Sequence, residues 1–211
     1  MNISDLRKDY QRAALTRETL LSAPLNQFKL WFEQARLADV PEPNAMILAT
    51  VGKDLRPTTR TVLLKQLDDR GLVFFTNFGS RKAQQIEENP FVSAQFVWLE
   101  LERQVSVTGT AKKIPTAESL AYFLSRPLGS RIGAWTSNQS SVIRSRALLE
   151  AKLAQMKEKF SKGEVPLPSF WGGYRIQPDS WEFWQGRQNR LHDRFLYTSA
   201  NGDWQVERLQ P

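Results

Sequence analysis

Apolar residues recur along this chain with two different periods, and the switches between them divide it into elements. Just after Pro24, the residues Leu25, Phe28, Trp31, Phe32 and Ala35 fall at helical spacing, with proline in the favoured first turn. The cluster Val40-Pro41-Glu42-Pro43-Asn44 stops that helix. From Ala45 the pattern is that of strands. Met46–Val51, Thr61–Leu64 and Leu72–Thr76 are short runs rich in β-branched and aromatic residues, punctuated by Gly, Asp and Lys as in an antiparallel meander. Ser80 is placed to cap a short helix ending before Asn89-Pro90, and strands follow over Val92–Trp98 and Arg103–Ala111. In the last of these, Val105 and Val107 alternate with Gln104, Ser106 and Thr108, so one face is apolar and the other polar.

Helical spacing then dominates from Thr116 to Phe160, broken at Arg126-Pro127-Leu128-Gly129, and Gly163 is a stop signal. The chain returns to strand over Gly173–Ile176 and Trp181–Trp184, then in a hairpin from Phe195 to Leu209 turning at Asn201-Gly202. Strands interrupted by helices, without a βαβ rhythm, predict an α+β protein on an antiparallel sheet or barrel. The first stretch reads as a charged, loosely anchored arm.

Length and composition narrow the function. The 211 residues suit one domain, or one domain with appendages. Lys and Arg outnumber Asp and Glu by 29 to 22, a net charge of +7, which points to anionic partners. There is no Cys, which removes thiol nucleophiles and thiolate metal sites, and His192 is the only histidine, which removes two-histidine metal sites. No apolar run reaches the length of a membrane span, and the polar N-terminus lacks the apolar core of a secretory signal, so a cytoplasmic location is expected. Neither glycine-rich phosphate-loop motif occurs, so any nucleotide must be held another way.

The cations recur at predicted element ends. Arg60 and Lys65 flank Val62-Leu63-Leu64; Arg81 and Lys82 follow Gly79-Ser80; Arg126 precedes Pro127; Arg190 and Arg194 bracket His192. Scattered cations beside Ser, Thr and Gln suit two or three discrete phosphates better than a polyanion track, although any one of them alone reads as solvated surface charge. Ser80 to Lys82 would add the free N–H groups of a helix start. If Arg190–Arg194 is extended, Arg190, His192 and Arg194 share one face, able to bind an anionic oxygen and move a proton; the plain alternative is a solvated edge strand. Upstream, Trp181-Glu182-Phe183-Trp184 is core by default, yet suits stacking on a flat heterocycle. A Ser-His-Asp hydrolase lacks its nucleophile elbow here, and acidic residues such as Glu100 and Glu102 interrupt any nucleic-acid-binding stripe.

Glu182-Phe183-Trp184-Gln185, then four intervening residues, then Arg190-Leu191-His192-Asp193-Arg194, closely resembles the C-terminal signature of the pyridoxamine/pyridoxine 5′-phosphate oxidase family. Further blocks resemble the family in family order. They include Arg60-Thr61-Val62-Leu63-Leu64-Lys65, Phe75-Thr76-Asn77 with Ser80-Arg81-Lys82, and Glu102-Arg103-Gln104-Val105. Tyr122-Phe123 with Ser125-Arg126-Pro127, Ile132-Gly133-Ala134-Trp135 with Gln139-Ser140-Ser141, and Pro166 through Gly173 complete the set, which runs from about Arg7 to the C-terminus.

The resemblance implies an FMN-binding split β-barrel with flanking helices, and a homodimer holding FMN at its interface. It implies an arm over residues 1–20 that lids the substrate, and a barrel domain over 21–211 ending in the dimerisation and signature region. FMN contacts carried over are Arg60, Thr61, Val62, Leu63, Leu64 and Lys65, then Phe75, Thr76, Arg81 and Lys82, and finally Gln104, Gln139, Ser140, Trp184 and Arg194. Lys65, Tyr122, Arg126 and Ser130 would hold the substrate phosphate; Arg190 and His192 would cover the pyridine ring as catalytic residues; Arg7 and Tyr10 would belong to the lid. The implied reaction oxidises pyridoxine or pyridoxamine 5′-phosphate to pyridoxal 5′-phosphate, with dioxygen as acceptor giving hydrogen peroxide, and ammonia from the amine. No metal is needed, and no nucleic acid or membrane partner. The alternative is an FMN- or pyridoxal-phosphate-binding split barrel without oxidase activity. The sequence departs from the family at Trp181, a larger residue than usual before Glu182, at Arg187, which adds a cation near the substrate mouth, and at the turn Val40–Pro43.

Overall fold

Strand alternation of the predicted kind builds one curled antiparallel sheet. The computed structural model describes residues 10–11, 13–161, 163–200 and 202–211. Among these, the strands are β1 (Ala45–Thr50), β2 (Thr58–Leu63), β3 (Gln66–Asp68), β4 (Gly71–Asn77), β5 (Phe91–Trp98), β6 (Arg103–Lys113), β7 (Trp171–Gln185), β8 (Asp193–Ala200) and β9 (Asp203–Leu209). The helices are α1 (Pro24–Leu37), α2 (Arg81–Glu88), α3 (Thr116–Ser125), α4 (Leu128–Thr136) and α5 (Arg146–Lys159).

The sheet runs in the order β2-β1-β5-β6-β7-β4-β3, with β8 on β7 and β9 on β8. Its inner face is the apolar half of each alternating strand: Val92, Ala94, Phe96 and Trp98 of β5, Val105 and Val107 of β6, Trp181 and Phe183 of β7. Helix α1 closes over that face. Phe28 packs 4.8 Å from Phe96 and 5.4 Å from Trp181, centroid to centroid, and each such ring contributes roughly 1.5–3 kcal/mol by burial. A second, smaller core forms where Phe123, Ile132 and Val165 meet Trp171 at the start of β7.

β7 organises the molecule. Its first half pairs with β4, its second half with β8, and β6 runs beside both. The register shifts between Thr108 and Gly109, where the strand passes Pro178. Gly109 is required there, since a Cβ would lie 2.0 Å from the Gln177 carbonyl oxygen.

The structure revises several expectations. Gly173–Ile176 and Trp181–Trp184 are parts of one continuous strand, because the shift at Gly109 absorbs Pro178 without ending it. The helical region breaks twice: at Arg126-Pro127, as expected, and over 137–145, where the chain loops back onto α2. β3 is a strand of three residues, too short to carry a period of its own. Gln188–Arg190 forms a 3-10 turn with Asn189 at φ 53° and Arg190 at φ 63°, so Arg190 does not share an extended face with His192 and Arg194. β8 begins only at Asp193 and lies between β7 and β9, so it is not an edge. The hairpin closes with Ala200 opposite Asp203 and Gly202 at φ +91°; Asn201 lies outside the described residues. The arm is anchored at Gln11 and Leu15. The Gln11 N–H donates to Glu102 Oε2 at 2.9 Å, the Leu15 N–H to Asp193 Oδ2 at 3.1 Å, and Leu15 is buried. Arg7 lies outside the described residues.

Candidate active site

The predicted site residues gather into two clusters. The first surrounds a cavity of about 860 Å³ between β2, the end of β4, α2, α3, α4 and the loop after α4. Arg60, Lys65, Arg81, Lys82 and Arg126 line it, and among the described residues no carboxylate does. A concavity of this size with five cations and no counter-charge fits a phosphorylated ligand. Thr61, Val62 and Leu63 also line it, as do Phe75, Thr76, Gln139 and Ser140; Leu64 is buried in the core behind that wall.

Local contacts hold Arg60 and Lys82 in place. Oxygens of β1 and β2 fix the Arg60 guanidinium: Nη1 donates to Thr50 Oγ1 at 2.6 Å and to the Leu48 carbonyl at 3.1 Å, and Nη2 to Thr58 Oγ1 at 2.5 Å. Thr50 and Thr58 carried no signal in the sequence, because their role depends on the pairing of β1 with β2. Ser80 caps α2, its Oγ accepting the Ala83 N–H at 3.4 Å. This directs Lys82 inward, where Nζ donates to Thr76 Oγ1 and to Gln139 Oε1, each at 3.1 Å. The loop after α4 completes this corner, with Ser140 Oγ accepting the Arg81 N–H at 3.2 Å. Burial, and then the nearby Arg60 charge, push the Lys82 ammonium down to about 8. Burial, with Arg81 beside it, likewise lowers Arg60.

At the other end of the cavity, Arg126 follows the last residue of α3, its guanidinium 4.7 Å over the Trp171 ring. Its Nη1 is buried and donates to no partner among the described residues, so a strong donor there is left for a ligand. Tyr122 stacks on Phe75 at 3.9 Å, and Ser130 lines the same wall from the first turn of α4. Burial raises the Tyr122 phenol against the opposing pull of Arg126, keeping it a neutral hydrogen-bond donor. Trp171, the floor beneath Arg126, was legible only as part of the run leading to Gly172-Gly173.

The second cluster lies at the far end of β7. Gln104, Trp184 and Arg194 are directly opposite one another on β6, β7 and β8 and so share a sheet face. Gln104 Oε1 accepts from Gln95 Nε2 at 2.7 Å, and Arg194 Nε donates to Glu182 Oε1 at 2.7 Å, which raises the Arg194 pKa. His192 packs against Trp184 at 4.6 Å, and Tyr10 meets both rings edge-on at 5.8 and 6.0 Å. Gly186 permits this, as a Cβ there would sit 2.7 Å from the Tyr10 ring. The Arg187 N–H donates to His192 Nδ1 at 3.0 Å, so the neutral ring carries its proton on Nε2. Burial, then the Arg190 charge, lowers the His192 pKa against the opposing effect of Asp193. Arg187, singled out as a departure, holds the arm: Nη1 donates to the Ala13 carbonyl at 3.2 Å. Trp181 is core, as its place on the inner face of β7 demands.

Trp171 and Trp184 stand thirteen residues apart on β7, a contour of roughly 40 Å at about 3.3 Å per residue. One chain therefore keeps Lys65, Tyr122, Arg126 and Ser130 in the first cluster, apart from Tyr10, Arg190 and His192 in the second.

Residues 32–160 match the family described as pyridoxamine 5′-phosphate oxidase, and residues 171–211 match the pyridoxine 5′-phosphate oxidase C-terminal dimerisation region. The chain is 59% identical over 214 residues to a pyridoxine/pyridoxamine 5′-phosphate oxidase of Crocosphaera subtropica, covering 100% of both chains. It is 57% identical over 212 residues to the enzyme of that name from Aliarcobacter butzleri, again covering 100% of each. Among solved structures it is similar to PhzG from Burkholderia lata in complex with tetrahydrophenazine-1-carboxylic acid, with a TM-score of 0.88 and 30% identity over 94% of this chain and 98% of that one. A pyridoxamine 5′-phosphate oxidase-related, FMN-binding protein from Nostoc punctiforme shares the fold, with a TM-score of 0.73 at 18% identity over 91% of this chain and 100% of that one.

Proposed function

The chain belongs to the pyridoxamine 5′-phosphate oxidase family, and we propose that its two clusters are halves of one active site, completed when two copies pair. The enzyme is an FMN-dependent oxidase that converts pyridoxine 5′-phosphate or pyridoxamine 5′-phosphate to pyridoxal 5′-phosphate. The observation that carries the substrate assignment is the buried, unpaired Nη1 of Arg126 in a cavity without carboxylates. A phosphomonoester dianion satisfies that donor and offsets the surplus positive charge. The carboxylate of a phenazine acid brings one charge and two oxygens, and fits a cage of Lys65, Tyr122, Arg126 and Ser130 less well.

In this reading Arg60, Arg81, Lys82, Gln139 and Ser140 hold the FMN phosphate at the start of α2, with Thr61 to Lys65, Phe75 and Thr76 along the cofactor. Lys65, Tyr122, Arg126 and Ser130 hold the phosphate of the substrate. The partner copy supplies Gln104, Trp184 and Arg194 to the cofactor, and Arg190 and His192 to the pyridine ring, with Tyr10 above them. Two clusters at opposite ends of β7, in a chain whose residues 171–211 match a dimerisation region, support this arrangement.

FMN held by these residues would supply the two-electron redox chemistry for oxidation at the substrate's C4′, with dioxygen as the final acceptor giving hydrogen peroxide. The protein orients and neutralises. The phosphate cage anchors one end of the substrate, so ring position is set by a rigid wall. His192, its Nδ1 occupied by the Arg187 N–H, presents Nε2–H as a donor to the phenolic oxygen. Arg190 adds positive charge over the ring, favouring the anionic phenolate. From pyridoxine phosphate the products are pyridoxal phosphate and hydrogen peroxide; from pyridoxamine phosphate, water is also consumed and ammonia released. Phosphorylated vitamers do not cross bilayers unaided, which fits a cytoplasmic location.

The test is spectroscopic. FMN-loaded, desalted protein should keep its flavin absorption, bleach on anaerobic addition of pyridoxine 5′-phosphate, and recover in air. Retained flavin that does not bleach overturns the oxidase reading.

A further inference from the structure

One side chain outside the cavity lining grips both elements that carry the phosphate cage. Arg175 lies in the first half of β7, and its side chain is 9% exposed. Its Nη1 donates to Asp68 Oδ1 at the end of β3, three residues after Lys65. Its Nη2 donates to Glu118 Oε2 at 3.1 Å, in the first turn of α3 and one helical turn before Tyr122. We propose that Arg175 is a positioning residue that sets the width of the substrate-phosphate cage, by fixing the spacing between Lys65 on one side and Tyr122 and Arg126 on the other. The proposal rests on the reading of that cage given above.

Three features support it. First, Trp171, Gly173 and Arg175 alternate onto one face of β7, and α3 lies along them. Arg175 holds Glu118 at the helix start, the Gly173 N–H donates to Ser119 Oγ at 3.2 Å, and Trp171 lies under Arg126 at the helix end. Displacing the Glu118 end therefore tilts Tyr122 and Arg126 as a unit. Second, the Lys65 N–H donates to the Val73 carbonyl at 2.9 Å, and Val73 is the register partner of Arg175 on β4. The Lys65 wall is thus referenced to the same point of β7. Third, a guanidinium is a planar fork that spans two carboxylates, which a single ammonium does not. Arg70, more exposed, bridges the same carboxylates from outside, with Nη2 at 3.0 Å from Asp68 Oδ2 and Nη1 at 3.3 Å from Glu118 Oε1. The four charges balance. Burial works to raise the Asp68 carboxyl, but hydrogen bonding and charge from Arg70 and Arg175 outweigh it and hold it below its usual range.

The experiment compares FMN-loaded wild type with Arg175→Met and Arg175→Lys. Arg70 still bridges both carboxylates in Arg175→Met, and Asp68 and Glu118 are partly exposed to water, so the fold should persist; Glu118→Gln, which loosens the contacts of α3 with Arg175 and Arg70 and leaves those with Asp68, serves if it does not. Since sub-ångström to 1 Å misplacement weakens a phosphate site severely, KM for pyridoxine 5′-phosphate should rise about tenfold with kcat within about twofold. The inhibition constant for inorganic phosphate should rise in parallel, and Arg175→Lys should recover part of the loss. A merely structural role predicts a lower melting temperature or lost flavin with KM unchanged, and that result overturns the proposal. Failure of the oxidase reading looks different: wild-type flavin stays oxidised under substrate. In that case phosphate affinity of the FMN-loaded proteins, by calorimetry, decides the role of Arg175, and equal affinity in variant and wild type overturns it.

Discussion

Trp171 and Trp184 lie on the same strand yet serve opposite ends of it: Trp171 floors the cation-lined cavity beneath Arg126, and Trp184 packs 4.6 Å from His192. If the two ends meet only between copies, defects in different ends should complement. Arg126→Ala and Arg190→Leu subunits, each strongly impaired alone at substrate well below KM, should recover about a quarter of wild-type activity when mixed and reassembled, because half of random dimers carry one intact site of two. Recovery near zero would place both clusters in one chain's site.

Arg126→Ala removes the unpaired donor and a charge from the cage. KM for pyridoxine 5′-phosphate should rise about ten- to hundredfold, as expected for losing a charge-assisted bond, while FMN stays bound. Loss of flavin instead would mean that the cavity's two phosphate positions are exchanged.

Arg190 stands at φ 63°, in a turn that precedes β8 and lies outside its ladder, so its loss leaves the sheet intact. Arg190→Leu should keep the fold and the flavin but slow anaerobic flavin reduction by at least about tenfold in stopped flow. Unchanged reduction removes Arg190 from the catalytic set.

Lys82 makes FMN binding pH-dependent. Its ammonium loses a proton in the free protein above about pH 8, whereas a bound phosphate favours the charged form. FMN affinity should therefore fall as pH rises from 8 towards 10, by up to about tenfold per unit, and Lys82→Gln should flatten that slope. The same lowered value means the unfolded chain holds more protons across this window, so this group makes the free protein more stable as pH rises. Flavin-fluorescence titration and thermal melts check the two signs.

Gly109→Ala drives a Cβ into the Gln177 carbonyl, which is backbone and cannot turn aside. The cost should be about 1–3 kcal/mol, with the melting temperature lower by roughly 3–10 °C.

Local chemistry made much of the fold legible in the sequence. Pro24 and the Phe28–Trp31–Ala35 spacing mark α1, the Ser80 cap marks α2, and the alternation of Val105 and Val107 marks the inner face of β6, because each depends on neighbours within a turn or a pleat. The continuity of β7 through Pro178 was illegible, since it depends on Gly109 of β6 making room for the register shift there. Likewise the turn at Asn189 and Arg190 hides in a polar run that reads equally well as strand.

For the site, residue type and family resemblance singled out the cations and the ligands expected for them, and the bare charge balance already pointed to anions. Three-dimensional packing alone sorted them. It put Arg126 over Trp171, gave Arg60 its oxygens from Thr50 and Thr58, and placed Arg190 and His192 at the other end of β7. The reason is physical: identity sets what a side chain can bind, but which side chains meet depends on strand register and helix docking. Those are long-range pairings, such as Arg175 with both Asp68 and Glu118, that no local pattern encodes.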